Sequence, residues 1–346
     1  MMAYYIYLLL FLTLSAALLV LALRPAWQEW LHPTDVSALP VGRDYSSEIK
    51  HFADEFRDIV MAKKAGNLEP ERRRFDLFPP VLTGANLKHN KRSLISFSSV
   101  QTEKGTECPQ ALFISGSMEG GEESKFSSLY VQGSLRLGAN SEIAEWAHAD
   151  EPMHFESGCI ALRRISSSVA VEMDKECCFE RVNAPVIRMG VSPGGQALRI
   201  HTSLVTANFS DLNGAIQQTS SVTMIRGDCR LPGGRSYQGS LIVTGRLFIG
   251  EGTEILGDVK ARGGAVVGQQ VRIEGSLISE KQIQILEQAS IAGPVISETA
   301  ILIGAHCRLG MPQRPTTVSA ENILAEAGSI AHGTVWARDL GVVWST

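Results

Sequence analysis

The 346 residues contain no Gly-rich phosphate loop, no GxSxG and no paired Cys/His nucleophile signature, so nucleotide-driven and hydrolase chemistry have no motif to rest on. Cysteine is scarce and scattered: Cys108, Cys159, Cys177, Cys178, Cys229 and Cys307 show no CxxC spacing. The adjacent pair is poorly placed for a mutual bond, so these residues read as small core side chains suited to a reducing compartment. A net charge of −4 offers no basic surplus for nucleic acid. Charge is absent altogether from Met1 to Leu23, and no Lys or Arg precedes that run. A cleavable signal peptide normally has a basic start and a shorter apolar stretch, which argues against one here.

The uncharged run is a candidate anchor. Residues 3–23 as a helix would span about 31 Å, the thickness of a hydrocarbon core. Tyr4, Tyr5 and Tyr7 mark one interface, Trp27 and Trp30 the other. The anchor residues are Tyr4, Tyr7, Leu10, Leu14, Leu19, Leu23 and Trp27, and Arg24-Pro25 is expected to end the helix. Arg24 and Arg43 follow the segment, so the positive-inside rule puts the bulk of the chain in the cytoplasm. A periplasmic bulk is the alternative.

What the chain has in abundance is period. Gly239, Gly257, Gly275 and Gly293 stand eighteen residues apart. A fixed short period means one structural unit stacked on copies of itself. Between these glycines aliphatic residues recur at steps of two and six. Leu241, Leu247, Ile249, Ile255, Val267, Ile273, Ile285, Ile291 and Ile303 are the expected core. A step of two is the side-chain period of a strand, so three pairs per coil imply three short strands around a triangular core. Gly245, Gly250, Gly263, Gly268 and Gly304 fall at the bends, where positive φ is often needed. An apolar step of two and this many glycines exclude a helix. A β-sandwich would not need the fixed phase. The phase slips after Gly310, and 311–315, with two prolines, is expected to loop out. Val342 and Trp344 near the end are candidates for an end-to-end contact with another copy, since a terminal coil leaves backbone groups unpaired.

The fold class is therefore all-β: a three-faced parallel β-helix of about 18 residues per coil, preceded by a transmembrane helix and a short amphipathic helix. The expected divisions are a transmembrane helix over 1–23 and a juxtamembrane linker over 24–108. Its amphipathic helix covers about 44–66, on the spacing of Ile49, Phe52, Phe56, Ile59 and Val60. An irregular first solenoid follows over 109–190, a connecting segment over 191–236 and the regular solenoid over 237–346. Basic clusters at 72–74 and at Lys88, Lys91 and Arg92 suit either solvent or anionic lipid.

Reactive candidates are few. His148, Asp150, Glu151 and His154 are the one close group of metal-ligand types, and their spacing fits no strong metal motif. His306 sits on a coil, as the general base does in hexapeptide-repeat acyltransferases, but a lone solvent-facing histidine is far commoner. No catalytic residue, cofactor or metal is expected, and the chain is not read as an enzyme.

The stretch 237–311 resembles the bactofilins, bacterial polymer-forming cytoskeletal proteins, at 239–243 (GSLIV), 255–259 (ILGDV), 271–278 (VRIEGSLI), 291–295 (IAGPV) and 303–305 (IGA). The resemblance implies a parallel β-helix that polymerises end to end without nucleotide, attaches to the bacterial inner membrane and positions envelope or cell-wall proteins. The expected partners are other copies of the chain, the membrane and such envelope proteins, with no nucleic acid. The alternatives are an envelope-facing β-helical binding protein and, less favoured, a hexapeptide-repeat acyltransferase-like enzyme. The chain departs from typical bactofilins in its long region before the regular coils and its aromatic end.

Overall fold

A computed structural model describes residues 2–31, 49–64, 75–77, 81–82, 92–190 and 204–344. The chain divides into two compact units, 1–47 and 48–346. The first holds helix α1, Met2–Leu31. It continues past the expected stop at Arg24-Pro25. Its described side chains from Tyr5 to Leu23 are exposed and almost all apolar; Tyr7, Leu10, Leu14, Leu19, Leu23 and Trp27 are among the exposed residues. The side chains at 1–4, 17, 22, 25–26 and 28–31 lie outside the described residues, Tyr4 and Trp30 included. Among the described residues no helix is long and apolar enough to cross a membrane.

The second unit is a β-solenoid of about 18 residues per coil in about 13 turns. It is wound as two stretches. In the first, inward positions stack as Leu94, Leu112, Leu129, Ala147, Ile165 and Val182. Phe75 pairs with Ser93, which carries the same winding back to 75, well before the expected start at 109. The ragged look of 109–190 has a local cause. Register shifts at Cys108/Ala111, Phe126/Ser128 and Ala161/Arg164 drop or restore one residue per coil. Such bulges move the sequence phase without unwinding the coil.

In the second stretch Thr223, Leu241, Val259, Leu277, Val295, Val318 and Val335 stack in parallel register. The described part of the expected connecting segment, 204–236, already belongs to these coils. Cys229–Leu231 pairs with Leu247–Ile249, and Ser236 with Glu254. The extra residues between Val295 and Val318 are the expected loop, closed by a bridge between Met311 and Arg314.

The nine expected core residues of this stretch are all buried. Small polar residues at inward positions are satisfied by backbone. Ser279 Oγ donates to Ala261 O at 2.7 Å, Ser297 Oγ to Lys281 O at 2.9 Å and Thr253 Oγ1 to Pro232 O at 3.1 Å. This is why hydroxyls are tolerated there, since a buried polar group is costly only when unpaired.

The glycines serve close approach more than backbone freedom. A Cβ on Gly293 would lie 2.6 Å from Gly275 O, and Gly257 and Gly275 meet the glycine one coil earlier in the same way. Gly245, Gly250, Gly263, Gly268 and Gly304 were expected at positive φ; none has it, and a Cβ on Gly268 would come within 2.6 Å of Ile249 O. The left-handed corner lies elsewhere. Gly252, Gln270, Gln288 and His306 form a ladder at φ of 64°, 56°, 60° and 57°. In the first stretch Gly105, Glu123, Asn140, Gly158 and Glu176 do the same.

Helix α2, His51–Lys64, is shorter than the expected 44–66, whose residues 44–48 and 65–66 lie outside the described set. It lays Ala53 and Val60 on the outward ladder Ile95, Phe113 and Tyr130 of the first stretch. Phe56 meets Trp146 edge-on at 5.7 Å and Phe113 stacks on Tyr130 at 5.3 Å. An outward face this apolar needs a cover, and α2 supplies it.

Candidate functional site: a junction of two coil ends

The last coil of each stretch would expose unpaired N–H and C=O groups. Here the two ends satisfy each other. The strand Cys178–Met189 runs antiparallel to the strand Ser329–Trp344. All three sides of the coil take part: Cys178 pairs with Val342, Val182 with Val335 and Ile187 with Ala331. Backbone bonds run from Val343 N to Cys177 O at 2.9 Å and from Gly328 N to Met189 O at 2.8 Å. Asn183 Nδ2 donates to Thr334 Oγ1 at 2.9 Å, and a ring nitrogen of His332 meets Pro185 O at 2.8 Å. Phe179, Val182, Ile187 and Met189 are buried against Ala331, Val335, Ala337 and Val343, so one core passes through the junction. Each of the larger side chains among them contributes about 1.5–3 kcal/mol through burial. Parallel within and antiparallel between, the two solenoids meet tail to tail, and both outer ends are their first coils.

Val342 and Trp344, the candidate contacts with another copy, are thus engaged within the chain. Val342 faces Cys178 and Leu324, and Trp344 pairs with Glu326. Sequence reasoning missed this partner. The signal available was the unbroken strand pattern of 329–344, at 16 residues longer than the 11 of Thr316–Glu326 or the 12 of Cys178–Met189.

At the outer end of the second stretch, a 3₁₀ turn at Phe209–Asp211 lays Phe209 on Tyr237 with rings 4.7 Å apart. Phe209 is buried and closes the core. Among the described residues two side chains beside it are exposed, Val205 by 65% and Ile216 by 42%. Ile216 belongs to the strand Ala215–Thr219, which pairs antiparallel to Val222–Ile225.

The histidine cluster is divided by the fold. His154 pairs with Asp174 at 3.3 Å. His148 lies under α2 on the ladder Tyr130, His148, Ser166. Its Nδ1 is 2.8 Å from Ser166 Oγ and its Nε2 is 3.1 Å from Asp150 Oδ1, which also accepts from Tyr130 Oη at 3.1 Å. Serine, imidazole and carboxylate in a row suggest a nucleophile and base. Yet Ser166 and His148 are each 2% exposed, so no substrate reaches them. Burial, then Lys50, holds the His148 pKa below its ordinary value, which keeps the ring neutral. Burial foremost, then Asp150, pushes the Tyr130 hydroxyl up to about 12. The network is a support for α2.

His306 occupies the left-handed corner described above, and its role there is a turn. All six cysteines are free, and all but Cys178 are buried. Burial pushes the Cys108 thiol up to about 11 and Cys307 to about 12, so neither is a thiolate at neutral pH. Among the described residues no group of three or more His, Cys, Asp or Glu is arranged to hold a metal ion.

Comparison with known proteins finds no matching family model, no matching curated protein and no matching solved structure.

Proposed function

We propose that this chain is a membrane-anchored structural scaffold of the bactofilin type, which self-associates through solenoid ends without nucleotide and positions envelope or cell-wall proteins. It acts without catalysis or cofactor at the bacterial inner membrane, with its bulk on the cytoplasmic side. The observation that carries this reading is the junction itself. Coil ends of this composition join on three sides by backbone pairing and a shared core. The same physics is available to any coil end left open.

Because the last coils are engaged within the chain, association between copies falls to the first coils. The exposed side chains of Val205 and of Ile216, on the strand Ala215–Thr219, are the best described surface of these. Anchoring is supported by α1, whose exposed apolar surface from Tyr5 to Leu23 is far larger than a helix in water retains.

Electron microscopy of the purified full chain in detergent, and of a chain lacking 1–31, tests the assembly. Filaments or sheets without nucleotide are expected, and their loss on Ile216→Lys. A second reading, a closed scaffold that binds partners without polymerising, is favoured by the Phe209 cap, and uniform single particles at high concentration would select it. A reporter fused after Thr346, active only on the cytoplasmic side, tests the topology.

A further inference from the structure

Asn213-Gly214 is the single Asn-Gly step in the sequence. It lies between the 3₁₀ turn that carries Phe209 and the strand Ala215–Thr219 that carries Ile216. Ala215 N donates to Leu212 O at 3.1 Å, which closes a four-residue turn with Asn213 and Gly214 at its tip. Gly214 holds a φ of 77°, as the third position of a type II turn requires. Both tip residues are exposed. A Cβ built on Gly214 meets nothing within 4 Å, so the space beside its backbone is open. Gly214 N donates to no group among the described residues, and the Asn213 carboxamide has no partner among them either.

These are the conditions under which an asparagine reacts with its own backbone. The Gly214 nitrogen is the nucleophile and Asn213 Cγ the electrophile, and a residue without a side chain is the least hindered nucleophile available. Each of the other described asparagines fails on one condition. Asn208 and Asn322 precede Phe209 and Ile323, whose bulky side chains are buried. Asn183 Nδ2 is held by Thr334 Oγ1 at 2.9 Å. Asn140 precedes Ser141, which is buried and donates to Gly121 O at 3.0 Å.

We propose that Asn213-Gly214 is a self-modifying site that converts to aspartate and isoaspartate in the folded chain. The Gly214 nitrogen loses its proton to hydroxide and attacks Asn213 Cγ. The new N–C bond closes a five-membered imide, and the carboxamide nitrogen leaves as ammonia after taking up a proton. One water then adds to either ring carbonyl and breaks the C–N bond there. Opening at Cγ gives aspartate; opening at the backbone carbonyl gives isoaspartate, with the chain rerouted through the side chain. Hydroxide is returned, so water is consumed and ammonia released with no other reactant.

Either product puts a carboxylate where a neutral amide stood, close in sequence to Asp211. The consequence for assembly rests on the self-association proposed above. Copies that meet at this surface through a two-fold contact bring these like charges together, so association weakens as the chain ages.

The test incubates the full chain in neutral detergent at pH 7.4 and at pH 6.0, with a parallel sample in urea, and reads peptides by mass spectrometry. The peptide holding Asn213 is expected to show the mass gain of an amide becoming an acid, in two chromatographic forms. The gain is expected to be faster at the higher pH and as fast in the folded chain as in urea. Asn140, Asn183, Asn208 and Asn322 are expected to stay intact over the same period, and Asn213→Gln to show no change at that position. Asn213 left intact in the folded chain, whether or not urea releases it, overturns the proposal; so does earlier reaction at another described asparagine. Light scattering of the aged parent against aged Asn213→Gln reads the consequence separately. Weaker association of the parent alone, restored by salt, is expected. Equal association of the two overturns the link to assembly, and no association of either fresh chain counts against the scaffold reading; the mass reading is decided independently of both.

Discussion

A Cβ added to Gly341 would sit 2.5 Å from Cζ of Phe179, its register partner across the junction. The ring lies where any side chain at 341 would go. Gly341→Val is expected to destabilise the second unit by about 1–3 kcal/mol, as overpacking does. Phe179→Ala alone costs about 3–5 kcal/mol as a cavity. Combined, the two substitutions are expected to cost less than their sum. A double-mutant cycle in denaturant measures this, and strict additivity would show that the two sites do not touch.

The cover over His148 is expected to depend on pH. Its pKa is lowered in the folded chain, so below the ordinary value of about 6.5 the unfolded state takes up a proton that the folded state resists. Stability from this group is present above that value and falls as pH drops through it. The charges around the ring are Lys50 and Asp54 on the α2 side and Asp150 on the coil. Amide exchange across His51–Lys64 is expected to be faster at pH 5.5 than at pH 7.5, at matched intrinsic rates, and the contrast is expected to vanish in His148→Gln. Equal contrast in the variant would assign the effect to another group.

Ala53 is buried between α2 and the aromatic ladder. Ala53→Arg is expected to lift α2 and leave the coils intact, because the coil core lies on the other side of the strands. Limited proteolysis within 51–64, with unchanged strand signal in circular dichroism, is the expected result. Loss of both together would make α2 part of the folding core.

The corner ladder gives a graded prediction. Gln288 holds φ near 60° and accepts a hydrogen bond from Gln270 Nε2 at 3.1 Å. Gln288→Val, β-branched in a left-handed site, is expected to cost about 1–3 kcal/mol. Gln288→Gly relieves the backbone and loses one exposed contact, so a change within about 1 kcal/mol is expected. Thermal melting of the two variants in parallel checks the order.

How much of this was legible follows from which residues carry the period. Gly239, Gly257, Gly275 and Gly293 mark the places where backbones touch, and touching happens once per coil. The second solenoid could therefore be read from spacing. The first hides its period, because single-residue bulges such as that between Cys108 and Ala111 shift the phase while the pairing persists. The corner ladder stayed hidden as well. Gln270, Gln288 and His306 share a backbone angle that neither glutamine nor histidine signals, and a residue type betrays that angle only when it is glycine or asparagine. The junction was beyond reach for a different reason. Antiparallel pairing between Cys178 and Val342 joins residues far apart in sequence and leaves no periodic trace.

The tail-to-tail arrangement has a consequence for synthesis. The strand Cys178–Met189 is complete 140 residues before Ser329 is made. At about 5–20 residues per second a ribosome needs roughly seven to thirty seconds to cover that gap. During this interval the finished half presents a bare three-sided edge, and a neighbour further along the same message offers the matching strand, its own Ser329–Trp344. Dense polysomes should therefore yield cross-paired dimers, and sparse translation the self-closed monomer.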